Sequence, residues 1–139
     1  MFNEYTYLYV EDDQLSREIT KMLFENAMGV ERLWIFEDSD NFIERIKSLP
    51  SMPDVVLLDI HMLPLSGFDM LDLIRDDSEL NDIIVVALTA SVMNQEVERI
   101  QSAGFNGAIG KPLSVTTFPE LIMQILGGDE VWYIPDDTE

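Results

Sequence analysis

Four apolar runs of strand length each deliver chemically capable side chains at their ends. "YTYLYV" (5–10) runs into Glu11, Asp12 and Asp13, "VVLLDI" (55–60) carries Asp59, "IIVVALT" (83–89) stops at Thr89, and "NGAIG" (106–110) is followed by Lys111. If these runs are parallel strands of one open sheet, their C-terminal ends share one edge, where ligands bind in such folds. Carboxylates, a hydroxyl and a lone ammonium then meet at one spot. Clustered carboxylates cannot all stay ionised unless a cation or raised pKa values relieve the repulsion. Oxygen donors without Cys or a His pair favour Mg²⁺ or Mn²⁺ over zinc. A carboxylate beside such an ion, with a hydroxyl and an ammonium opposite, is placed to attack phosphorus, the cations neutralising the equatorial oxygens. The chemistry implied is that of an aspartyl phosphate.

Each piece alone has an ordinary explanation. "EDD" is most often a helix cap or a solvated acidic turn, and Asp59 could be a hydrogen-bonded strand terminus. Thr89 is a common β-former, and Lys111-Pro112 a common turn. Their convergence on one predicted edge is what favours the chemical reading.

The elements that must position these residues alternate along the chain. After the first strand, "QLSREITKMLFENAM" places Leu15, Ile19, Met22 and Leu23 on one helical face, with Asp13 as N-cap. "RLWIF" (32–36) reads as a strand, and "SDNFIERIKSL" as a helix on Phe42, Ile43, Ile46 and Leu49 that Pro50 ends. "GFDMLDLIRD" (67–76) is a further helix. "SVMNQEVERIQSAG" spaces Met93, Val97 and Ile100 helically, with Gly104 as its C-terminal cap. "TTFPELIMQIL" closes with a helix in which Pro119 fits only the first turn. Five strands alternating with five helices predict an α/β domain with a parallel sheet. The near-continuous apolar character of 55–58 and 83–88 agrees, since strands covered on both faces lose their alternation. The expected organisation is one domain over 1–127, then a compositionally distinct tail, "GGDEVWYIPDDTE" from Gly127, without a domain of its own over 128–139. Val131 to Ile134 is apolar enough to dock as a strand on the body or on a partner, or to remain a loosely held end.

The chain has 139 residues and 27 acidic against 8 basic side chains, a formal net charge of −19. Such a surface repels nucleic acid and anionic lipid, so neither is an expected partner. The absence of Cys excludes disulfides and thiolate metal sites. No apolar run approaches the ~20 residues that span a bilayer. The N-terminus has no signal-peptide pattern, and the expected location is the cytoplasm.

At this point the sequence resembles the receiver domain of two-component response regulators, over about 5–126. The matching stretches are "YLYVEDD", "DVVLLDI…SG", "VVALTA" and "GKP", in that order and spacing. The resemblance implies a doubly wound, five-stranded parallel sheet of the (βα)5, flavodoxin-like type with strand order 2-1-3-4-5. It makes Asp59 the phospho-acceptor, taking a phosphoryl group from a sensor histidine kinase or phosphotransfer protein with Mg²⁺, or Mn²⁺. Glu11, Asp12, Asp59 and the backbone carbonyl of His61 would hold the ion. Thr89 matches the switch hydroxyl and Lys111 the lysine paired with it, and the Lys111–Pro112 bond is a cis-peptide candidate. His61 and Ser91 fall at positions that tune dephosphorylation in relatives.

Three places depart from the family pattern. Relatives commonly carry Pro four residues after the acceptor, where this chain has Leu63 and then Pro64, while Gly67 keeps its spacing. The position three before the lysine is usually Tyr or Phe and is Ala108 here. His61, the sole histidine, reads as an exposed loop residue rather than a catalyst. The expected function is a stand-alone phosphorylation switch for an unidentified downstream protein. A receiver-like scaffold acting without phosphorylation is the alternative. A Mg²⁺-dependent phosphohydrolase fits poorly, because its general acid–base would fall at His61. The chain is therefore expected to be regulatory, with at most self-catalysed phosphorylation and dephosphorylation.

Overall fold

A computed structural model describes residues 2–90 and 94–133. Its strands are β1 (Tyr7–Val10), β2 (Leu33–Phe36), β3 (Val55–Asp59), β4 (Ile84–Thr89), β5 (Gly107–Gly110) and β6 (Val131–Tyr133). The helices are α1 (Gln14–Met22), α2 (Phe42–Lys47), α3 (Gly67–Asp76), α4 (Asn94–Ala103) and α5 (Thr117–Leu126). All strand pairs are parallel, in the order β2-β1-β3-β4-β5-β6. The parallel sheet is as the alternation of elements predicts, and its doubly wound 2-1-3-4-5 order is as the resemblance implies. Ser91 and Met93 lie outside the described residues, as does Ile134.

The core has two layers, one on each face of the sheet. Phe42, Ile46, Met70, Leu71, Ile74 and Ile100 from α2, α3 and α4 pack against Leu8, Val56, Leu58, Val85 and Ala87 on one face. Phe118, Leu121, Ile122 and Ile125 of α5, with Leu23 and Phe24, pack against Tyr7, Tyr9, Leu57, Val86 and Leu88 on the other. Covering both faces removes alternation, and every residue of β1 and β3 is buried.

The apolar stripe of the first helix faces largely away from the sheet. Leu15, Ile19 and Met22 do share a face, but they are 64%, 46% and 60% exposed, and only Leu23 of the four is buried. The inward face instead runs through Thr20, one residue and so about 100° round from Ile19. Thr20 is buried there and donates to the Tyr9 hydroxyl at 3.3 Å. A π-turn at Leu23–Ala27 then brings Leu23 and Phe24 under the sheet. The helical period is as expected, and most of the apolar stripe it groups lies on the outer side of the helix.

The sheet also has one strand more than the five expected. After α5, Gly128 takes a positive φ of 100°, a conformation that favours glycine, and turns the chain back toward the sheet. Val131–Tyr133 then pairs with Gly107–Ile109, placing Trp132 opposite Ala108. Gly107 makes room for it: a Cβ there would lie 2.9 Å from both the Val131 carbonyl oxygen and Ile125 Cδ1. Gly107→Val is therefore expected to unseat β6 and cost about 1–3 kcal/mol, as overpacking does. A denaturation midpoint equal to that of the parent chain would show that β6 is not held this way.

Candidate functional site

The C-terminal edge of the sheet gathers the residues singled out above. Glu11 and Asp12 directly follow β1, Asp59 ends β3, Thr89 ends β4 and Lys111 directly follows β5. β3 and β4 pair with Asp59 opposite Leu88, so Thr89 stands one residue further along the adjoining strand. A carboxylate oxygen from each of Glu11, Asp12 and Asp59 lies within 4.8 Å of the others. Glu11 and Asp59 are buried and Asp12 is exposed, giving the cluster an inner and an outer side.

Lys111 is the cation that faces this cluster. Its Nζ donates to Asp59 Oδ2 at 3.2 Å and to Glu11 Oε1 at 2.5 Å. Burial alone would lower the Lys111 pKa, but the hydrogen bond to Glu11 and the charges of Asp59 and Glu11 outweigh it and hold it above the usual lysine range. Glu11 is pushed up, first by burial and then by its contact with Asp59, with Lys111 opposing. The Tyr9 hydroxyl supports Glu11 from below, donating to Oε1 at 3.0 Å. A buried carboxylate pair with a single ammonium, open to an exposed third carboxylate, suits a hard divalent cation. The oxygen-only donor set points the same way.

Local structure explains the placement. Asp13 caps α1 by accepting from the Ser16 amide at 2.8 Å, which separates it from the cluster. The Asp59 side chain accepts from the His61 amide at 3.0 Å, fixing the start of the loop after β3. Ser66 and Asp69 form a capping box that starts α3. Gly67, where α3 begins, lies so close to β3 that a Cβ would stand 2.9 Å from the Asp59 carbonyl oxygen and from Ile60 Cα. Gly67→Ala must therefore displace the backbone that carries Asp59 and should destabilise by about 1–3 kcal/mol. An unaltered melting curve would contradict this packing.

The departures noted in the sequence have definite forms. Leu63 is 82% exposed, and the Leu63–Pro64 and Lys111–Pro112 bonds are both cis. Ala108 is fully buried beneath the helical layer of α3 and α4, where Trp132 also packs. His61 is exposed in the loop after β3, and its Nε2 lies 2.8 Å from Glu96 Oε1 in the first turn of α4. The same oxygen accepts from Thr89 Oγ1 at 3.5 Å. Glu96 was not among the residues picked out from sequence, and no spacing signal could have found it, because its partners come from other elements.

Fold and site together define a receiver of the response-regulator type, and comparison with known proteins agrees. Residues 7–123 match the response regulator receiver domain, and the chain belongs to that family. It is 35% identical over 121 residues to the polar-differentiation response regulator DivK of Brucella anthropi, covering 86% of this chain and 94% of the relative. Among solved structures, the bacteriophytochrome response regulator AtBRR superposes with a TM-score of 0.75 at 25% identity, covering 97% of this chain and 98% of that one. The receiver domain of sensor histidine kinase PA1611 from Pseudomonas aeruginosa PAO1 superposes at 0.76 with 20% identity, covering 88% and 98%. The latter structure has a magnesium ion coordinated in its active site cleft. Among the described residues, no helix is long and apolar enough to cross a membrane.

Proposed function

We propose that the protein is a phosphorylation-dependent signalling switch whose phospho-acceptor is Asp59. The observation that carries this reading is the meeting of Asp59 with Glu11, Asp12 and Lys111 at the sheet edge. An Asp59 carboxylate oxygen attacks phosphorus, the P–N bond to a donor imidazole breaks, and the imidazole nitrogen leaves with the bonding pair and takes up a proton. A small acyl phosphate loses its P–O bond in the same way. Lys111 neutralises charge on the transferring group, and Thr89 supplies a hydroxyl donor to it. Glu11, Asp12, Asp59 and the His61 carbonyl would hold Mg²⁺, which when bound supplies positive charge to the phosphoryl oxygens.

The protein donor in this reading is a sensor histidine kinase or phosphotransfer protein, whose phospho-imidazole this chemistry accepts. The exposed side of α1 supports such docking, because Leu15, Ile19 and Met22 form an apolar strip on a strongly acidic molecule. It continues into a cleft of about 300 Å³ lined by Ile19, Lys111, Pro112 and Leu113, beside the site. The downstream partner is a protein, and the chain acts as a regulator.

A small phosphodonor with Mg²⁺ should add one phosphoryl group per chain, and failure to add any would refute the proposal. Metal binding has its own readout. At a Mg²⁺ concentration ten times its Kd, the fold should gain about 1.4 kcal/mol, a rise of a few degrees in Tm. Asp12→Asn, at an exposed position, should abolish that rise without loss of basal stability. An equal rise in the variant would remove Asp12 from the ligand set.

Ala108 favours one second reading, a scaffold that engages its partner regardless of phosphorylation. Equal partner affinity with and without phosphodonor would select it.

A further inference from the structure

We propose that Glu96 is a positioning residue of this switch: its carboxylate competes with a phosphoryl group at Asp59 for the Thr89 hydroxyl, and so couples that hydroxyl to α4. The inference rests on the reading of Asp59 as phospho-acceptor and goes beyond it. Glu96 Oε1 joins residues from three elements, lying 2.8 Å from His61 Nε2 in the loop after β3 and 3.5 Å from Thr89 Oγ1 at the end of β4. Glu96 itself stands in the first turn of α4, with its side chain 23% exposed. The His61 amide meanwhile donates to Asp59 Oδ1 at 3.0 Å, so both partners of Glu96 border the acceptor.

A threonine hydroxyl has one proton to donate. It can be given to Glu96 or to a phosphoryl oxygen, not to both. The phosphoryl group also brings close to two negative charges, which repel the Glu96 carboxylate. Phosphorylation therefore exchanges the Thr89–Glu96 contact for one at Asp59 and frees the first turn of α4 from β4. His61 holds Glu96 in the competing position. Where relatives have an aromatic ring at position 108, this chain has a methyl group, and a carboxylate tether from α4 supplies a route from the site to that helix which needs no ring.

The test is the affinity of the full chain for beryllofluoride, a phosphoryl mimic, in saturating Mg²⁺. Glu96→Ala removes the competitor and should tighten binding about three- to tenfold, the range of one hydrogen bond's net contribution. Glu96→Gln, whose amide oxygen still accepts from Thr89, should lie nearer the parent value. His61→Ala should tighten binding in the same direction but less. Because Glu96 acts chiefly through Thr89, Glu96→Ala should tighten binding much less in a Thr89→Ala background, where only the relief of charge repulsion remains. Circular dichroism spectra matching the parent's would confirm that the variants fold. Unchanged or weaker binding by Glu96→Ala, or equal tightening without the Thr89 hydroxyl, would overturn the inference. If the parent binds beryllofluoride and Asp59→Asn does not, such a failure is confined to Glu96. If the parent does not bind at all, the assignment of Asp59 fails and the Glu96 inference falls with it.

Discussion

Asp59→Asn should abolish phosphoryl uptake from a small donor while leaving the fold intact. An amide oxygen is too weak a nucleophile to displace the donor's leaving group, and the substitution is nearly isosteric at a position 7% exposed. It also relieves charge. Asp59, Glu11 and Asp12 bring their oxygens within 4.8 Å of one another, with Lys111 as the facing cation, so neutralising one carboxylate removes repulsion. The expected result is no covalent phosphate by intact mass and a Tm no lower than the parent's. Uptake at the parent rate would show that the nucleophile lies elsewhere.

Lys111→Met should have the second-largest effect, on both stability and chemistry. The ammonium reaches Glu11 and Asp59, whose side chains are 1% and 10% exposed, and its own is 18% exposed. Methionine keeps much of the side-chain volume but leaves two buried carboxylates facing each other. Breaking a buried ion pair by removing one partner costs about 3 kcal/mol. Mg²⁺ should recover part of that loss, because a dication placed among the same carboxylates does the work of the ammonium. Phosphoryl uptake should fall about a hundredfold even with Mg²⁺, as it does when one donor to developing charge is deleted. Urea titrations with and without Mg²⁺ measure the first effect, and a time course with a small phosphodonor measures the second. Parent-like values in both would show Lys111 to be peripheral.

The gathering of the site was legible because parallel strands of similar length end on one edge. Reading Glu11, Asp59, Thr89 and Lys111 as strand-terminal residues was enough to place them together, and no loop geometry was required. Where the outcome depended on loops or on rotation about an axis, the sequence was less informative. The periodicity of α1 grouped Leu15, Ile19, Met22 and Leu23, but an apolar stripe states only that a face exists. The sheet instead takes the face through Thr20, whose hydroxyl meets Tyr9, and the π-turn at Leu23–Ala27 has no pattern that would announce it. Val131–Tyr133 was recognisable as a potential strand, yet its partner depended on Gly107 and on the turn at Gly128. The contact of Glu96 with His61 and Thr89 was illegible, since it is made across two loops whose paths no local propensity sets.

The most direct test of the central claim is the chemical nature of the bond formed when the parent chain meets a small phosphodonor. Intact mass should show one added phosphoryl group only when Mg²⁺ is present, and hydroxylamine, which cleaves acyl phosphates, should remove it. Label that forms equally in EDTA, or that survives hydroxylamine, would contradict a Mg²⁺-dependent aspartyl phosphate at Asp59.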